Sequence, residues 1–204
     1  MEQRTEEWIQ ARCGSLGASQ LNEALATTKT GWGASRENLK NRIIAERLTG
    51  IVEPSFVSKP MLRGIEMEDA ARKAYEAHTG VFVDEMGIAY HPVLKHTHAS
   101  PDGLVGDDGL IEIKCPNTTT HIETLKAKKA PSKYINQMMW QMRCTDRKWC
   151  DFVSFDPRLP SHLQLFVTRV ERDAAYIADL EAKVTEFLTE VEKEIEALNK
   201  EWEK

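Results

Sequence analysis

Apolar residues recur with a helical period at both ends of the chain, whereas the middle alternates with the period of a β-strand. Three- and four-residue steps run from about Pro60 to His78 and, most regularly, from Ile177 to Trp202. Between Phe82 and Pro116 the segments are short, bounded by Gly and Pro, and rich in β-branched and aromatic residues, which is typical of strands. The pattern predicts an α/β fold with a central mixed β-sheet, flanking helices and a long C-terminal helix.

Cap residues, chain breakers and short apolar runs predict the remaining elements. These are helices from Thr5 to Ala11, from an N-cap at Ser19, from an N-cap at Ser35 to about Leu48 with Gly50 at its end, and from about Ser132 to Cys144, a loop over 27–35, and strands near 149–155 and 163–170.

The size and composition are typical of a globular protein. Of 204 residues, 41% are hydrophobic and 29% charged, so we expect one domain over 1–204 that includes the C-terminal helix 173–203. No apolar run approaches the length of a membrane span, and the N-terminus lacks the apolar region of a signal peptide. The four cysteines form no C-x-x-C pair, which favours reduced thiols in a cytoplasmic protein.

Acidic residues are concentrated at the C-terminal end. The net charge is −5, but residues 171–204 hold eleven acids and five bases, so residues 1–170 are near +1. Between Lys114 and Trp149, eight Lys and Arg residues stand against Glu123 and Asp146. This segment is either a solvated charged face or a basic surface for nucleic acid, and charge alone favours neither.

The stretch SPDGLVGDDGLIEIKCP, residues 100–116, brings two acids and a lysine towards one point. Side chains of a strand alternate between faces, so Glu112 and Lys114 point the same way while the isoleucines between them enter the core. A hairpin through the VGDDG turn would return Asp102 to Glu112. Two carboxylates beside an ammonium suit Mg²⁺, which would bridge to a substrate phosphate. An isolated Glu-x-Lys is more often a solvent-exposed ion pair, but the additional Pro-Asp makes this spacing more demanding.

The spacing Pro101-Asp102-x9-Glu112-x-Lys114 resembles the PD-(D/E)xK signature of restriction-type nucleases and recombination exonucleases. The stretch is similar to the core of the lambda-type phage exonuclease family, also called YqaJ-type viral recombinases. Further blocks follow in the order of that family: WIQARCGSLGAS, LRGIEMEDAARKAYEAHTG, YINQMMWQM and FDPRL. Together they cover about residues 5–175, and the resemblance implies a restriction-endonuclease-like core.

The resemblance also implies roles for individual residues. Asp102, Glu112 and the backbone carbonyl of Ile113 would bind metal, and Lys114 would be the catalytic lysine. Glu68 would be a further catalytic carboxylate near a second metal, with Glu66 as the competing choice; an exposed helix acid is the alternative for both. Gln137 would lie near the attacking water, or else be an ordinary polar residue of its helix.

A phosphate pocket is implied as well. Arg12 and Ser19 match the family's pocket for the 5′-phosphate of the digested strand, and Ser100 joins them. A guanidinium and the N-terminus of a capped helix are suitable partners for a phosphate. The chain departs from the family at Gly17, where a Thr is common, so one hydroxyl contact is missing. For Arg12 alone, a surface arginine is the simpler interpretation.

The function implied by the resemblance is a Mg²⁺-dependent 5′→3′ exodeoxyribonuclease with 5′-phosphomonoester products. It would use two Mg²⁺ ions, with Mn²⁺ as a substitute, and degrade one strand from double-stranded, preferably 5′-phosphorylated DNA ends, leaving 3′ overhangs for recombination. The resemblance further implies a homotrimeric ring, a single-strand annealing recombinase as partner, no membrane association, and a phage or prophage protein in the bacterial cytoplasm.

Two alternatives remain open from the sequence. Some nucleases with this signature carry an iron–sulfur cluster, and the spacing of Cys144 and Cys150 is similar to part of that pattern, although the usual close C-x-x-C is absent. The other alternative is a non-catalytic DNA-binding module, against which the intact Asp102, Glu112 and Lys114 argue.

Overall fold

The computed structural model describes residues 3–29, 31–54 and 58–203. Its largest sheet has four strands in the order β6-β7-β8-β9. The strands are β6 (Gly103–Val105), β7 (Gly109–Lys114), β8 (Trp149–Phe155) and β9 (Leu165–Glu171). The outer pairs are antiparallel and the central pair, β7 with β8, is parallel. The predicted mixed sheet is therefore confirmed, and so are the strands expected near 149–155 and 163–170.

The segment between Phe82 and Pro116 is divided between two sheets. A second sheet contains β1 (Leu16–Gly17), β5 (Thr97–Ala99) and β4 (Ala89–Tyr90), with β1 parallel and β4 antiparallel to β5. Only β6 and β7 enter the four-stranded sheet. The loop expected over 27–35 contains a short antiparallel pair, β2 (Thr27–Thr28) with β3 (Gly31–Trp32).

Seven α-helices are present in the described part of the chain. They are α1 (Glu6–Ala11), α2 (Leu21–Ala24), α3 (Ala34–Thr49), α4 (Lys59–Thr79), α5 (Thr118–Ala127), α6 (Ile135–Thr145) and α7 (Ala174–Trp202). All except α5 correspond to predicted helices. Gly50 ends α3 with a left-handed φ of 69°, as expected for a glycine at this position.

Two predicted helix caps are wrong. Ser19 does not cap a helix, since it lies inside a 3-10 turn, Ala18–Gln20, that begins after the extended Gly17. The Gly17 N–H donates to the Gln20 side chain at 2.9 Å, so this turn is closed without a serine cap. Ser35 is already the second residue of α3, which follows the extended Gly33. In both cases the preceding glycine adopts the extended backbone of a cap, so the helical turn begins before the serine.

The four-stranded sheet has a buried cluster on each face. Leu110 of β7 and Phe152 of β8 pack in a cluster with apolar residues of α3, α6 and α7. Ile111 and Ile113 pack on the opposite face with Tyr75 of α4. Because β7 is covered on both sides, its alternation places the charged Glu112 inside the protein rather than at the surface.

The helix α7 packs against α3 and α6 along its apolar seam. The seam is buried from Ile177 to Val191, whereas Leu198 is exposed and Trp202 is 72% exposed. No helix in the described ranges is both long enough and apolar enough to cross a membrane.

Candidate active site

The β6–β7 hairpin brings Asp102 back to the end of β7. Gly103 pairs with Ile111, and Gly106 makes the turn with a φ of 52°. Asp102 lies just before β6, and its Oδ2 accepts a hydrogen bond from the Ile113 N–H at 2.6 Å. The hairpin predicted through the VGDDG turn is therefore present, and it places Asp102 beside the strand that carries Glu112 and Lys114.

Glu112 is a buried carboxylate whose two oxygens both have donors. Its side chain is 1% exposed. Oε1 accepts from Gln137 Nε2 at 2.7 Å, and Oε2 accepts from Gln141 Nε2 at 2.6 Å. Lys114 also forms an ion pair with Oε1. The two glutamines are four residues apart on α6 and so face the same side of the helix, which fixes the orientation of the carboxylate.

The electrostatics of this cluster show an excess of negative charge. Burial raises the pKa of Asp102 well above its ordinary value, and the charges of Glu112 and Glu68 raise it further, against the opposing effect of Lys114. Burial alone would lower the pKa of Lys114, but Glu112 and Asp102 outweigh it and the pKa is raised. Lys114 is therefore protonated, and the carboxylates around it favour an additional cation.

These carboxylates are of the ligand type that binds a divalent cation, although their side chains are not already arranged around a common point. Within the described residues, no three His, Cys, Asp or Glu side chains lie together as a ready metal site. Instead Lys114 pairs with Glu112, and Arg4 pairs with Glu68. Mg²⁺ prefers carboxylate oxygens as ligands. The carboxylates here repel one another and already attract cationic side chains, so they suit such an ion.

The structure distinguishes between the two acids considered on α4. Glu68 lies along the same cleft as Asp102, together with Ile113 and Lys114. Glu66 is exposed. Of the two, Glu68 is the carboxylate that α4 brings to the centre.

A second cavity, of about 110 Å³, adjoins the carboxylates and is called the Arg12 pocket below. It is lined by Gln3, Trp8, Arg12, Gly17, Ala18, Ser19, His98, Ser100, Gln137 and Gln141. All three residues predicted for the phosphate site therefore lie on its wall. The hydroxyl of Ser100 and the Oε1 of Gln141 are buried atoms with no hydrogen-bond partner in the described structure. Buried polar atoms rarely lack partners, so the pocket is suited to a polar ligand.

Arg12 is held in place without a carboxylate. Its guanidinium carbon lies 3.9 Å from the centre of the Trp8 ring, and its Nε donates to His98 Nε2 at 3.0 Å. No acid lies within ion-pair distance of it among the described residues; burial lowers its pKa, against the opposing effect of the more distant charge of Glu46. An arginine without a paired acid is available to an anion.

Sequence reasoning missed two residues of this region. Gln141 is fully buried and holds Glu112 together with Gln137, and its position four residues after Gln137 was the available signal. His98 contacts Arg12 from β5, and nothing in the local sequence indicates this contact between residues 86 positions apart.

The cysteines do not form a cluster site. All four are free thiols, and Cys150 is buried in the core beside the sheet. Cys13 contacts the carbonyl of Glu46, while Cys115 follows Lys114 at the end of β7. Since no three cysteines come together in the part of the chain described, the iron–sulfur alternative has no structural support.

The chain is similar to nucleases of known structure. A crystal structure of LHK-Exo in complex with dAMP is similar to the chain at 52% sequence identity, with a TM-score of 0.90 and 97% of each chain covered. A crystal structure of an alkaline exonuclease (LHK-Exo) from Laribacter hongkongensis matches at 51% identity, with the same TM-score and coverage.

A phage-related exonuclease from Haemophilus somnus matches at 17% identity and a TM-score of 0.67, over 92% of this chain and 96% of that one, which shows likeness of fold alone. No curated protein matches the chain. The expected nuclease fold is confirmed by these structures. The family model of the YqaJ-like viral recombinase domain matches residues 7–148. The chain is therefore a nuclease that belongs to the YqaJ-like viral recombinase family.

Proposed function

We propose that the protein is a Mg²⁺-dependent 5′→3′ exonuclease that degrades one strand from the ends of double-stranded DNA and leaves 3′ overhangs. One observation carries the proposal: the Arg12 pocket and the carboxylate cluster share a wall. Gln137 and Gln141 line the pocket, and the same two side chains donate to Glu112. A strand whose 5′-phosphate lies against Arg12 therefore has its next phosphodiester close to Asp102, Glu112 and Lys114.

The side chains divide the work of hydrolysis. Asp102, Glu112, the Ile113 carbonyl and Glu68 would hold two Mg²⁺ ions, for which Mn²⁺ can substitute. When bound, the metal polarises the scissile phosphate and activates water. Lys114 neutralises negative charge that develops on the phosphoryl oxygens, since its ammonium is protonated. Gln137 and Gln141 keep Glu112 in one orientation, and Gln137 would lie near the attacking water.

The products of this reaction are 5′-phosphomonoesters. LHK-Exo, with half of its residues identical over nearly the whole chain, is described as an alkaline exonuclease and has been crystallised with dAMP. A deoxynucleoside monophosphate is what stepwise cleavage beside a bound 5′ end releases. This supports mononucleotide products and a preference for 5′-phosphorylated ends here.

The assembly proposed is a homotrimeric ring around DNA. Lys126, Lys128 and Lys129 are exposed at the end of α5 and supply basic surface for the phosphate backbone. We place the protein in phage-type recombination in the bacterial cytoplasm, encoded by a phage or prophage, with a single-strand annealing recombinase acting on the overhang.

The direction of digestion and its metal dependence are tested together. Two linear duplexes are compared, one labelled in its 5′-phosphate and one at its 3′ ends, in Mg²⁺ and in excess EDTA. We expect early release of the 5′ label as mononucleotide, late release of the 3′ label, and no release in EDTA. Early loss of the 3′ label, or full activity in EDTA, would contradict the proposal.

The variant that tests the metal ligand is Asp102→Asn, which removes one charge and keeps the side-chain volume. It is expected to bind duplex in Ca²⁺ as the wild type does and to show no cleavage in Mg²⁺, because a neutral amide is a poor ligand for a hard cation. Cleavage at the wild-type rate would remove Asp102 from the proposed centre.

A further inference from the structure

His98 of β5 is part of the wall of the Arg12 pocket. Its Nε2 lies 3.0 Å from Arg12 Nε, and its Nδ1 lies 2.8 Å from Ser15 Oγ. The imidazole is 1% exposed. Trp8 covers one face of the Arg12 guanidinium, and the indole Nε1–H of Trp8 donates to the carbonyl of Gly87 at 2.9 Å. Arg12 is thus held by two aromatic side chains, and each of these makes a hydrogen bond to another residue.

The chemistry of the donors fixes the tautomer of His98. An arginine Nε–H can only donate, so His98 Nε2 must accept. The ring proton is therefore on Nδ1, where it donates to Ser15 Oγ. A protonated imidazole has no acceptor and would lose the bond to Arg12. Burial, together with the nearby charge of Arg12, lowers the pKa of His98 to about 3, so the ring is neutral near pH 7.

The backbone at Gly17 makes room for this ring. A Cβ at Gly17 would lie 3.2 Å from His98 Nε2 and 3.5 Å from its Cε1. The first contact is tighter than usual and falls on the nitrogen that meets Arg12, whereas the second is an ordinary van der Waals contact. The absence of a side chain at Gly17 therefore leaves space beside His98 Nε2.

We propose that His98 is a positioning residue for end recognition: by accepting from Arg12 Nε, it turns the two terminal guanidinium nitrogens towards the pocket, where they bind the 5′-phosphate of DNA. This rests on the proposed function of the Arg12 pocket. Of the five guanidinium donors, one is used by His98 and the remaining four form the fork that matches phosphate oxygens. His98 itself does not touch the substrate.

The test compares variants that keep or remove the acceptor at the position of Nε2. His98→Gln places Oε1 near that position, whereas His98→Asn places its polar atoms near Nδ1, where they reach Ser15 but not Arg12. His98→Leu removes both the acceptor to Arg12 and the donor to Ser15. For each variant, and for Arg12→Ala, the initial cleavage rates on 5′-phosphorylated and 5′-hydroxyl duplexes are measured, and their ratio is the readout.

We expect Arg12→Ala to abolish the preference for 5′-phosphate. His98→Asn and His98→Leu are expected to lower the ratio at least about tenfold, which is the scale of one charge-assisted hydrogen bond. The ratio in Arg12→Ala is the lower limit of this decrease. His98→Gln should stay within about threefold of the wild type. Circular dichroism of each variant reports a general loss of fold, and dividing by the rate on 5′-hydroxyl ends removes any loss common to both substrates, which separates positioning from such a loss. The role of His98 is overturned if Arg12→Ala abolishes the preference for 5′-phosphate while His98→Asn and His98→Leu leave the ratio unchanged. The proposed role of the Arg12 pocket would then still stand.

A second measurement does not depend on activity or on variant stability. In the wild-type protein labelled with ¹⁵N-histidine, His98 is expected to carry its proton on Nδ1 between pH 6 and 9, with Nε2 shifted as a hydrogen-bond acceptor, and this shift should disappear in Arg12→Ala. A proton on Nε2 overturns the inference even if every His98 variant unfolds. A wild type that shows no preference for 5′-phosphate, or an Arg12→Ala variant that keeps it, instead removes the Arg12 pocket from the proposed function.

Discussion

At the scale of single residues, the candidate centre is organised by one buried charge. Glu112 is almost completely removed from water, and a buried carboxylate is costly unless it is hydrogen-bonded and paired. Gln137, Gln141 and Lys114 supply those contacts. The sequence motif predicted the grouping of Asp102, Glu112 and Lys114. It did not predict Gln141, because a motif read along one strand contains no information about which helix covers it.

Lys114 is the residue whose removal separates chemistry from binding. Lys114→Ala should lower the cleavage rate by at least about 10²-fold, the scale for loss of one positioned electrostatic stabiliser. Affinity for duplex in Ca²⁺ should fall far less, because in the proposed complex the ammonium would be one of several positive charges near the DNA. Single-turnover rates and fluorescence anisotropy measure the two quantities. A variant that cuts at a near-normal rate would leave Lys114 as a structural partner of Glu112.

His98 predicts a specific dependence of stability on pH. Its pKa is lowered from an ordinary value of 6.5 to about 3 by burial, so between these values the unfolded chain binds a proton that the folded protein does not. The contribution of His98 is therefore complete above pH 6.5 and is lost as pH falls below it. Between pH 7 and pH 5 the free energy of unfolding should decrease by about 2 kcal/mol more in the wild type than in His98→Gln.

Urea denaturation in EDTA at the two pH values measures this difference. The other titrating groups, including His91 and His96, are common to both proteins, so their contributions cancel. Equal losses in the two proteins would mean that His98 titrates normally.

At the scale of elements, strong periodicity predicted the structure well and weak periodicity did not. The seam of α7, the hairpin of β6 and β7, and the strands β8 and β9 were all predicted from their patterns. The helix α5 was missed because its sequence, TTTHIETLKA, begins with three threonines of low helix propensity. Its helical state depends on tertiary contacts, among them His121, which bonds to Ser154 of β8 and to the Leu163 carbonyl.

The register of β7 against β8 depends on a glycine. Gly109 pairs with Trp149, and a Cβ at Gly109 would lie 2.1 Å from atoms of the indole ring. Gly109→Ala should therefore destabilise the protein by roughly 1–3 kcal/mol, the usual cost of overpacking. The control is Gly64→Ala on α4, where an added Cβ has no neighbour within 4 Å and should be neutral or stabilising. Chemical denaturation of both variants checks the contrast, and an unaffected Gly109→Ala would show that Trp149 moves without cost.

At the scale of the whole molecule, the acidic C-terminal segment is partly neutralised by the protein itself. Acids of α7 form ion pairs with bases of α3: Glu190 with Arg36, Glu192 with Arg47, and Glu194 with Lys40. The negative charge of the C-terminal segment is therefore partly offset by bases of α3, the helix against which α7 packs. The exposed Trp202 lies past the end of this packing.

The proposed ring makes a simple prediction about mass. Light scattering coupled to size exclusion, at micromolar concentration, should give about three times the chain mass of 23.2 kDa. Digestion should then be processive, because a closed ring cannot leave the duplex between cuts. A mass near that of one chain would refute the ring and the expected processivity, and would leave the chemistry at Asp102, Glu112 and Lys114 untouched.

The wall formed by α6 has a consequence for the length of the product. In the proposed enzyme, Gln137 and Gln141 would lie between the Arg12 pocket, which anchors the strand end, and the carboxylates that cleave the bond, and both belong to α6. The rigid helix would therefore set the length of each released fragment, independently of the DNA sequence. One residue inserted between the two glutamines would turn the second by about 100° around the helix axis. The separation between the Arg12 pocket and the carboxylates would then no longer be fixed, and fragments of mixed size would replace uniform mononucleotides.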